Sequence, residues 1–287
     1  MQKIKGTLIP IGGNEDKGIE ENEKYSLEFI DEGILFHVVK EAGGIDANVV
    51  IIPTASSIPV EVGENYIDAF TKLGCKNISV LDIRSKEDSE KAESIALIKK
   101  ADCLMFSGGD QSKITDKIGG TAIHDIIIDR YKNDAGFVIA GTSAGAMVMA
   151  EEMIAGGSAS ESFIKGAVKM YNGLGLIPGL IIDTHFIRRG RFGRQSEAVA
   201  KFPNLTGIGL AEDTGMIIKN GTDCTVIGSG MAIVFDGSKL SHNNEKVLKE
   251  GTPMTMTNLI VHVLSNGDNF DIKTREIRVL PIEAPFI

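Results

Sequence analysis

The run Asn48-Val49-Val50-Ile51-Ile52-Pro53 has no polar face. A strand of that kind must be covered on both sides, as in a parallel sheet packed between helices. The pattern recurs along the first half of the chain. Strands are expected at residues 6–11, 48–53, 77–82, 103–106 and 136–140. Between them the apolar spacing is helical over 25–41, 64–73, 88–100 and 121–132. Strand and helix in alternation imply an α/β fold with a mostly parallel central sheet and helices on both faces. Beyond residue 150 the rhythm changes. Residues 156–179 are rich in glycine and serine and are expected to form long loops, followed by a strand at 180–183 and a helix through 197–201. Short strands are expected at 207–210, 214–219, 225–227 and 231–236, as an antiparallel extension of the sheet. Without repeats, low-complexity tracts or linkers, residues 1–287 are expected to form a single domain.

Composition removes several functions. Aromatic residues make up 6% of the chain, with no Trp, and the net charge is −9, so neither a base-stacking surface nor a phosphate-binding one is expected. Nucleic acid is therefore not an expected partner. Cys75, Cys103 and Cys224 lack metal-ligand spacing and are expected as buried free thiols of a reducing compartment. No metal or cofactor is called for. No apolar run approaches the roughly 20 residues of a membrane span. The N-terminus has no signal-peptide pattern, and a soluble cytoplasmic protein is expected.

The chemistry is concentrated at the ends of the expected strands, where open α/β sheets bind ligands. Phe137-Val138-Ile139-Ala140-Gly141-Thr142-Ser143-Ala144-Gly145-Ala146 is an apolar run that ends in a glycine-flanked serine. This is the pattern of a strand turning sharply into a helix with a nucleophile at the corner, where larger flanking residues would collide with strand and helix. Ser107-Gly108-Gly109-Asp110-Gln111 is a second glycine turn. The N–H groups of Gly109 and Ala144 could form an oxyanion hole, with Gln111 reaching the substrate; alternatively Asp110 simply caps a helix. His185 is the histidine at a strand exit and is the candidate base, since a serine hydroxyl needs an imidazole to accept its proton. The imidazole in turn needs a carboxylate. Glu212 at the next strand exit is preferred, with Asp183 less suited and Glu161 in reserve. The order Ser143, His185, Glu212 differs from the serine, acid, histidine order of α/β-hydrolases. It is similar to class I glutamine amidotransferases, with serine in place of their cysteine, and gives a flavodoxin-like, amidotransferase-like expectation for the sheet. Arg188, Arg189, Arg191 and Arg194 follow the histidine closely and suit carboxylate recognition.

Taken together, these segments resemble the cyanophycinases, a branch of the serine peptidase family that also contains peptidase E. The matching stretches are Phe106–Gln111, Gly141–Ala146, Asp183–Phe186 with Arg189–Arg194, and Gly207–Thr214, within a similarity over residues 5–240. The resemblance implies a cytoplasmic serine exopeptidase, usually a homodimer, that cleaves cyanophycin to β-aspartyl-arginine dipeptides. Cyanophycin is a polyaspartate backbone with arginines amide-linked to its side chains. By position, Ser143 is then the nucleophile, His185 the base and Glu212 its orienting acid. Gln111, Asp183, Thr184, Arg189, Arg191 and Arg194 fall in the substrate-lining set. Thr184 replaces an expected glutamine, which bears on substrate preference, and Asn14 replaces an alanine. The expected reaction is β-aspartyl peptide hydrolysis through an acyl-enzyme, with Ser143 attacking the β-linked carbonyl. A peptidase E-like dipeptidase and a silent amidotransferase-like binding protein are the alternatives.

Overall fold

The computed structural model describes residues 4–18, 27–157, 162–281, 283–285 and 287. The expected apolar runs form β1 (Thr7–Ile11), β2 (Asn48–Ile52), β3 (Asn77–Val80), β4 (Cys103–Phe106) and β5 (Val138–Thr142). The helices between them are α1 (Ile34–Glu41), α2 (Pro59–Lys72), α3 (Ala92–Lys100), α4 (Gln111–Ile118) and α5 (Ala122–Asn133). The second half begins with α6 (Ala144–Met147), the hairpin strands β6 (Glu152–Gly156) and β7 (Lys169–Asn172), then β8 (Leu180–Asp183) and α7 (Phe192–Lys201). It continues through β9 (Thr206–Leu210), β10 (Thr214–Lys219), β11 (Asp223–Gly228), β12 (Ala232–Asp236), β13 (Ile260–Leu264), β14 (Asn269–Asp271) and β15 (Ile277–Arg278).

The main sheet runs β3-β2-β4-β5-β1 in parallel, and β10-β11-β14-β15 extend it antiparallel from β1. Alternate residues on a strand point to opposite faces. Leu8, Val50, Ile52, Leu104 and Ile139 accordingly join one apolar cluster with Ile98 of α3, Ile114 of α4 and Ile127 of α5. Ile9, Val49, Ile51, Met105 and Val138 join a second with Leu35 of α1 and Phe70 of α2. Both faces are covered, as the missing polar face required.

Register sets up the site. Ile52, Phe106, Gly141 and Pro10 stand level across β2, β4, β5 and β1. The strands therefore end along one line, and their exits share one rim.

Three expectations are corrected. The antiparallel extension holds for β10 and β11, but β9 and β12 form a separate sheet in the order β13-β12-β9-β8. This sheet is also covered twice: Leu180, Ile182, Ile208 and Val234 join the first apolar cluster, while Ile233 and Phe235 pack with Val199 of α7. The helix expected over 25–41 is α1 only from Ile34, because Gly33 before it is extended (φ −66°, ψ 156°) and ends any longer helix; residues 25 and 26 lie outside the described residues. The loops expected over 156–179 contain β7, paired with β6. Cys75, Cys103 and Cys224 are free and buried. Among the described residues no helix is long and apolar enough to cross a membrane.

Candidate active site

β5 runs directly into α6, and Ser143 makes the corner at φ 51°, ψ −108°. That conformation costs a non-glycine residue about 1–3 kcal/mol. Backbone packing enforces it. A Cβ on Gly141 would lie 2.5 Å from the Gly145 oxygen, and one on Gly145 would lie 2.5 Å from the Phe106 oxygen. The sharp turn tolerates no side chain at either place, which explains both glycines.

His185 follows β8 and Glu212 lies in the turn between β9 and β10. The imidazole Nε2 is 3.1 Å from Ser143 Oγ, and Nδ1 is 2.7 Å from Glu212 Oε1. Arg188 donates to Glu212 from the other side, 2.9 Å from Oε2. Burial acts to raise the Glu212 carboxyl, but the bonds from His185 and Arg188 prevail and hold it below its usual range. Burial lowers the His185 pKa, and nearby Arg189 and Arg191 add to this against the opposing effect of Glu212. The imidazole is therefore kept neutral near pH 7, as a proton acceptor requires.

The exit of β1 ties these residues together. Ile11 accepts the Ser143 N–H at 2.9 Å, and Gly12 accepts the His185 N–H at 2.7 Å. The imidazole lies against Gly13, where a Cβ would come within 2.4 Å of Cε1. Gly13 accepts the N–H of Asp213, the neighbour of Glu212, at 2.9 Å. Glu15 then reaches Thr142, the neighbour of Ser143, at 2.6 Å, and also accepts the Tyr66 hydroxyl proton and pairs with Lys17 at 2.8 Å. Burial acts to raise the Glu15 carboxyl, but Lys17 and the hydrogen bonds hold it low, while burial and Glu15 push the Tyr66 hydroxyl well up. Sequence reasoning missed Glu15, Lys17 and Tyr66. Glu15 follows the end of β1, but nothing in the sequence connects it to a tyrosine on α2.

Gly109 borders the cleft at φ 141°, and a Cβ there would meet the Ala55 oxygen at 2.1 Å. Its N–H and that of Ala144 donate to no protein acceptor among the described residues. Asp110 caps α4 through the Ser112 N–H at 2.9 Å, the capping role expected of that turn. Gln111 borders the cleft, with its amide 2.9 Å from the Ile154 oxygen.

The arginines separate by environment. Arg188 pairs with Glu212; Arg191 and Arg194 pair with Asp183, whose side chain has no exposed surface. Arg189 is exposed, makes no ion pair among the described residues and borders the cleft. Two residues of the expected substrate-lining set are engaged within the protein. Asp183 is occupied by the two guanidiniums and the Thr184 N–H, and Thr184 is itself buried with its hydroxyl on Met147 Sδ at 3.5 Å. Both side chains are fully buried. Glu161 lies outside the described residues. Among the described residues no group of His, Cys, Asp and Glu is arranged to hold a metal ion.

Serine, histidine and carboxylate stand in hydrogen-bonded sequence where β5 of the parallel sheet and β8 and β9 of the second sheet end, and this arrangement on an α/β fold is that of a serine peptidase. Comparison with known proteins agrees. The chain belongs to peptidase family S51, whose sequence model matches residues 24–226. It is 36% identical over 276 residues to the cyanophycinase of Trichormus variabilis, covering 96% of this chain and 89% of that one. It is 34% identical over 275 residues to the cyanophycinase of Geminocystis herdmanii, covering 96% and 97%. Among solved structures, a peptidase from an acI-B1 Actinobacterium superposes with a TM-score of 0.62 at 19% identity, covering 94% of this chain and 98% of that one. A putative peptidase E protein from Listeria monocytogenes EGD-e gives 0.51 at 16% identity, covering 78% and 99%.

Proposed function

We propose that the protein hydrolyses cyanophycin to β-Asp-Arg dipeptides through an acyl-enzyme, with Ser143, His185 and Glu212 as its catalytic residues. The observation that carries this is the continuous line from Ser143 Oγ through both imidazole nitrogens to Glu212 Oε1, with spacings of 3.1 and 2.7 Å. Ser143 Oγ attacks the scissile carbonyl carbon as His185 Nε2 takes its proton, and Glu212 stabilises the imidazolium. The N–H groups of Gly109 and Ala144 hold the oxyanion. His185 then protonates the leaving amine, and water enters by the same route to free the acyl group. The products name the bond. A released β-Asp-Arg unit keeps its β-amide, so the electrophile is the backbone α-carbonyl and not the β-linked carbonyl expected from sequence.

Similarity to relatives named cyanophycinase over 96% of the chain supports this substrate class. Arg189 is a cation available to a substrate carboxylate, and Gln111 borders the same cleft. Arg191 and Arg194 shape that wall while bound to Asp183. The same reading takes residues 1–287 as one domain, acting as a cytoplasmic homodimer; the apolar cluster shared by both sheets supports the single domain.

The test is dipeptide release from purified cyanophycin, followed by mass spectrometry, for the wild type and Ser143→Ala. Loss of release in the variant is expected. Activity confined to α-aspartyl dipeptides would replace this substrate with that of a peptidase E-like dipeptidase. Turnover that survives Ser143→Ala would overturn the assignment of the nucleophile.

A further inference from the structure

Ser143 divides the cleft into two cavities. One, of about 350 Å³, lies towards Gln111, Ala155, Arg191 and Arg194; the other, of about 460 Å³, lies towards Gly13, Lys17, Asn65, Tyr66 and His185. Both volumes suit small-molecule recognition. Ser143, Gly109 and Arg189 border both. A group that protonates the leaving nitrogen must stand on that nitrogen's side of the nucleophile. His185 borders the larger cavity and not the smaller. The fragment that departs first therefore occupies the larger cavity, and the acyl fragment the smaller.

The larger cavity has a built-in cation. Lys17 Nζ lies 2.8 Å from Glu15 Oε1, 3.4 Å from the Glu15 main-chain oxygen and 5.0 Å from the centre of the Tyr66 ring. An ammonium has three donors, so one remains for an incoming acceptor. The Lys17 side chain is 24% exposed, whereas that of Glu15 beneath it is fully buried. Lys17 and Glu15 cancel in charge, so the net positive charge of the cavity comes from Arg189, which no carboxylate among the described residues neutralises.

We propose that Lys17 and Arg189 bind a free carboxylate on the departing fragment, with Glu15 as the positioning residue that keeps the Lys17 ammonium in the cavity. This rests on the roles given above to Ser143 and His185, and it does not depend on which aspartyl substrate is cleaved. It makes Lys17 a specificity determinant, selecting fragments that end close to the cut bond.

The test uses the Ser143→Ala protein and two short aspartyl peptides, one ending in a free carboxylate and the other in a carboxamide, titrated by calorimetry. The acid is expected to bind about tenfold tighter, the size of one charge-assisted hydrogen bond. Adding Lys17→Met should lower the ratio severalfold, adding Arg189→Met as well should bring it close to one, and Lys17→Arg should retain it. If Lys17→Met lacks a thermal unfolding transition, Lys17→Gln reads the same ratio. Equal binding of acid and amide by the Ser143→Ala protein, or an acid preference unchanged by Lys17→Met, overturns the proposal. Because binding is read without turnover, a wild type that cleaves no aspartyl peptide would count against the hydrolytic function alone.

Discussion

Glu212→Gln tests the site at its most informative contact. Glu212 serves two donors: Arg188 Nη1 approaches Oε2 at 2.9 Å, and His185 Nδ1 lies 2.7 Å from Oε1. Glutamine keeps the shape but has one oxygen and one NH₂. Arg188 can only donate and lies nearer Oε2 (2.9 Å) than Oε1 (3.3 Å), so the amide oxygen is expected at the arginine and the NH₂ at His185. Nδ1 must then accept, which puts the ring proton on Nε2, the nitrogen that should take the Ser143 proton. Loss of the right tautomer in serine–histidine–acid sites costs about 10⁴ in kcat, or about 5.4 kcal/mol of barrier. A second substitution separates tautomer from charge. In Glu212→Gln with Arg188→Ala the amide is free to turn, its oxygen can accept from Nδ1, and about tenfold of the lost rate should return. The assay is single-turnover release of product by both variants, with the thermal midpoint as a check on folding. A Glu212→Gln enzyme that keeps more than about a tenth of its rate would refute the assigned proton path. So would a double variant no faster than the single one, because Arg188 would then not be orienting the amide.

Two further outcomes are expected. Because burial and the adjacent arginines hold the His185 pKa below 6.5, the acid limb of kcat/KM should lie below that value, and Glu212→Gln should move it lower still by removing an influence that raises it. The folded state also sheds a proton that the unfolded chain keeps, so this group's contribution to stability is complete above about pH 6.5 and declines as pH falls. An acid limb centred above about pH 7 would contradict the cause given for the shift. Asp183→Asn should act on stability before substrate affinity, because it leaves the buried Arg194 without its counter-charge. Stranding one member of a buried pair costs about 3–5 kcal/mol, which should lower Tm on the order of 10 °C. An unchanged Tm with a raised KM would place Asp183 in contact with substrate instead.

Much of the architecture could be read locally. The strands 48–52 and 103–106 lack a polar face, so they had to be sandwiched, and their parallel pairing followed. The glycines beside Ser143 announced a corner too tight for side chains, and Phe106 and Gly145 supply the backbone that makes it so. Ser143, His185 and Glu212 each follow a strand, which is visible in the sequence, but they come from two sheets and are brought together by the exit of β1, whose Ile11, Gly12 and Gly13 oxygens accept the N–H groups of Ser143, His185 and Asp213. What could not be read was the choice among like groups. Arg188, Arg189, Arg191 and Arg194 are equivalent cations in sequence; only folding gives three of them carboxylates and leaves Arg189 facing the cleft. Nothing local marks Glu15 among the acids of the chain, yet it bonds a threonine 127 residues away and a tyrosine on α2. Backbone sterics and apolar periodicity act within a few residues, so the sequence alone determined the sheet, the serine corner and the set of candidate groups. Charge pairing depends on distance in space between residues remote in the chain. Only the tertiary structure decided which arginine stayed free of a carboxylate and which acid met the imidazole.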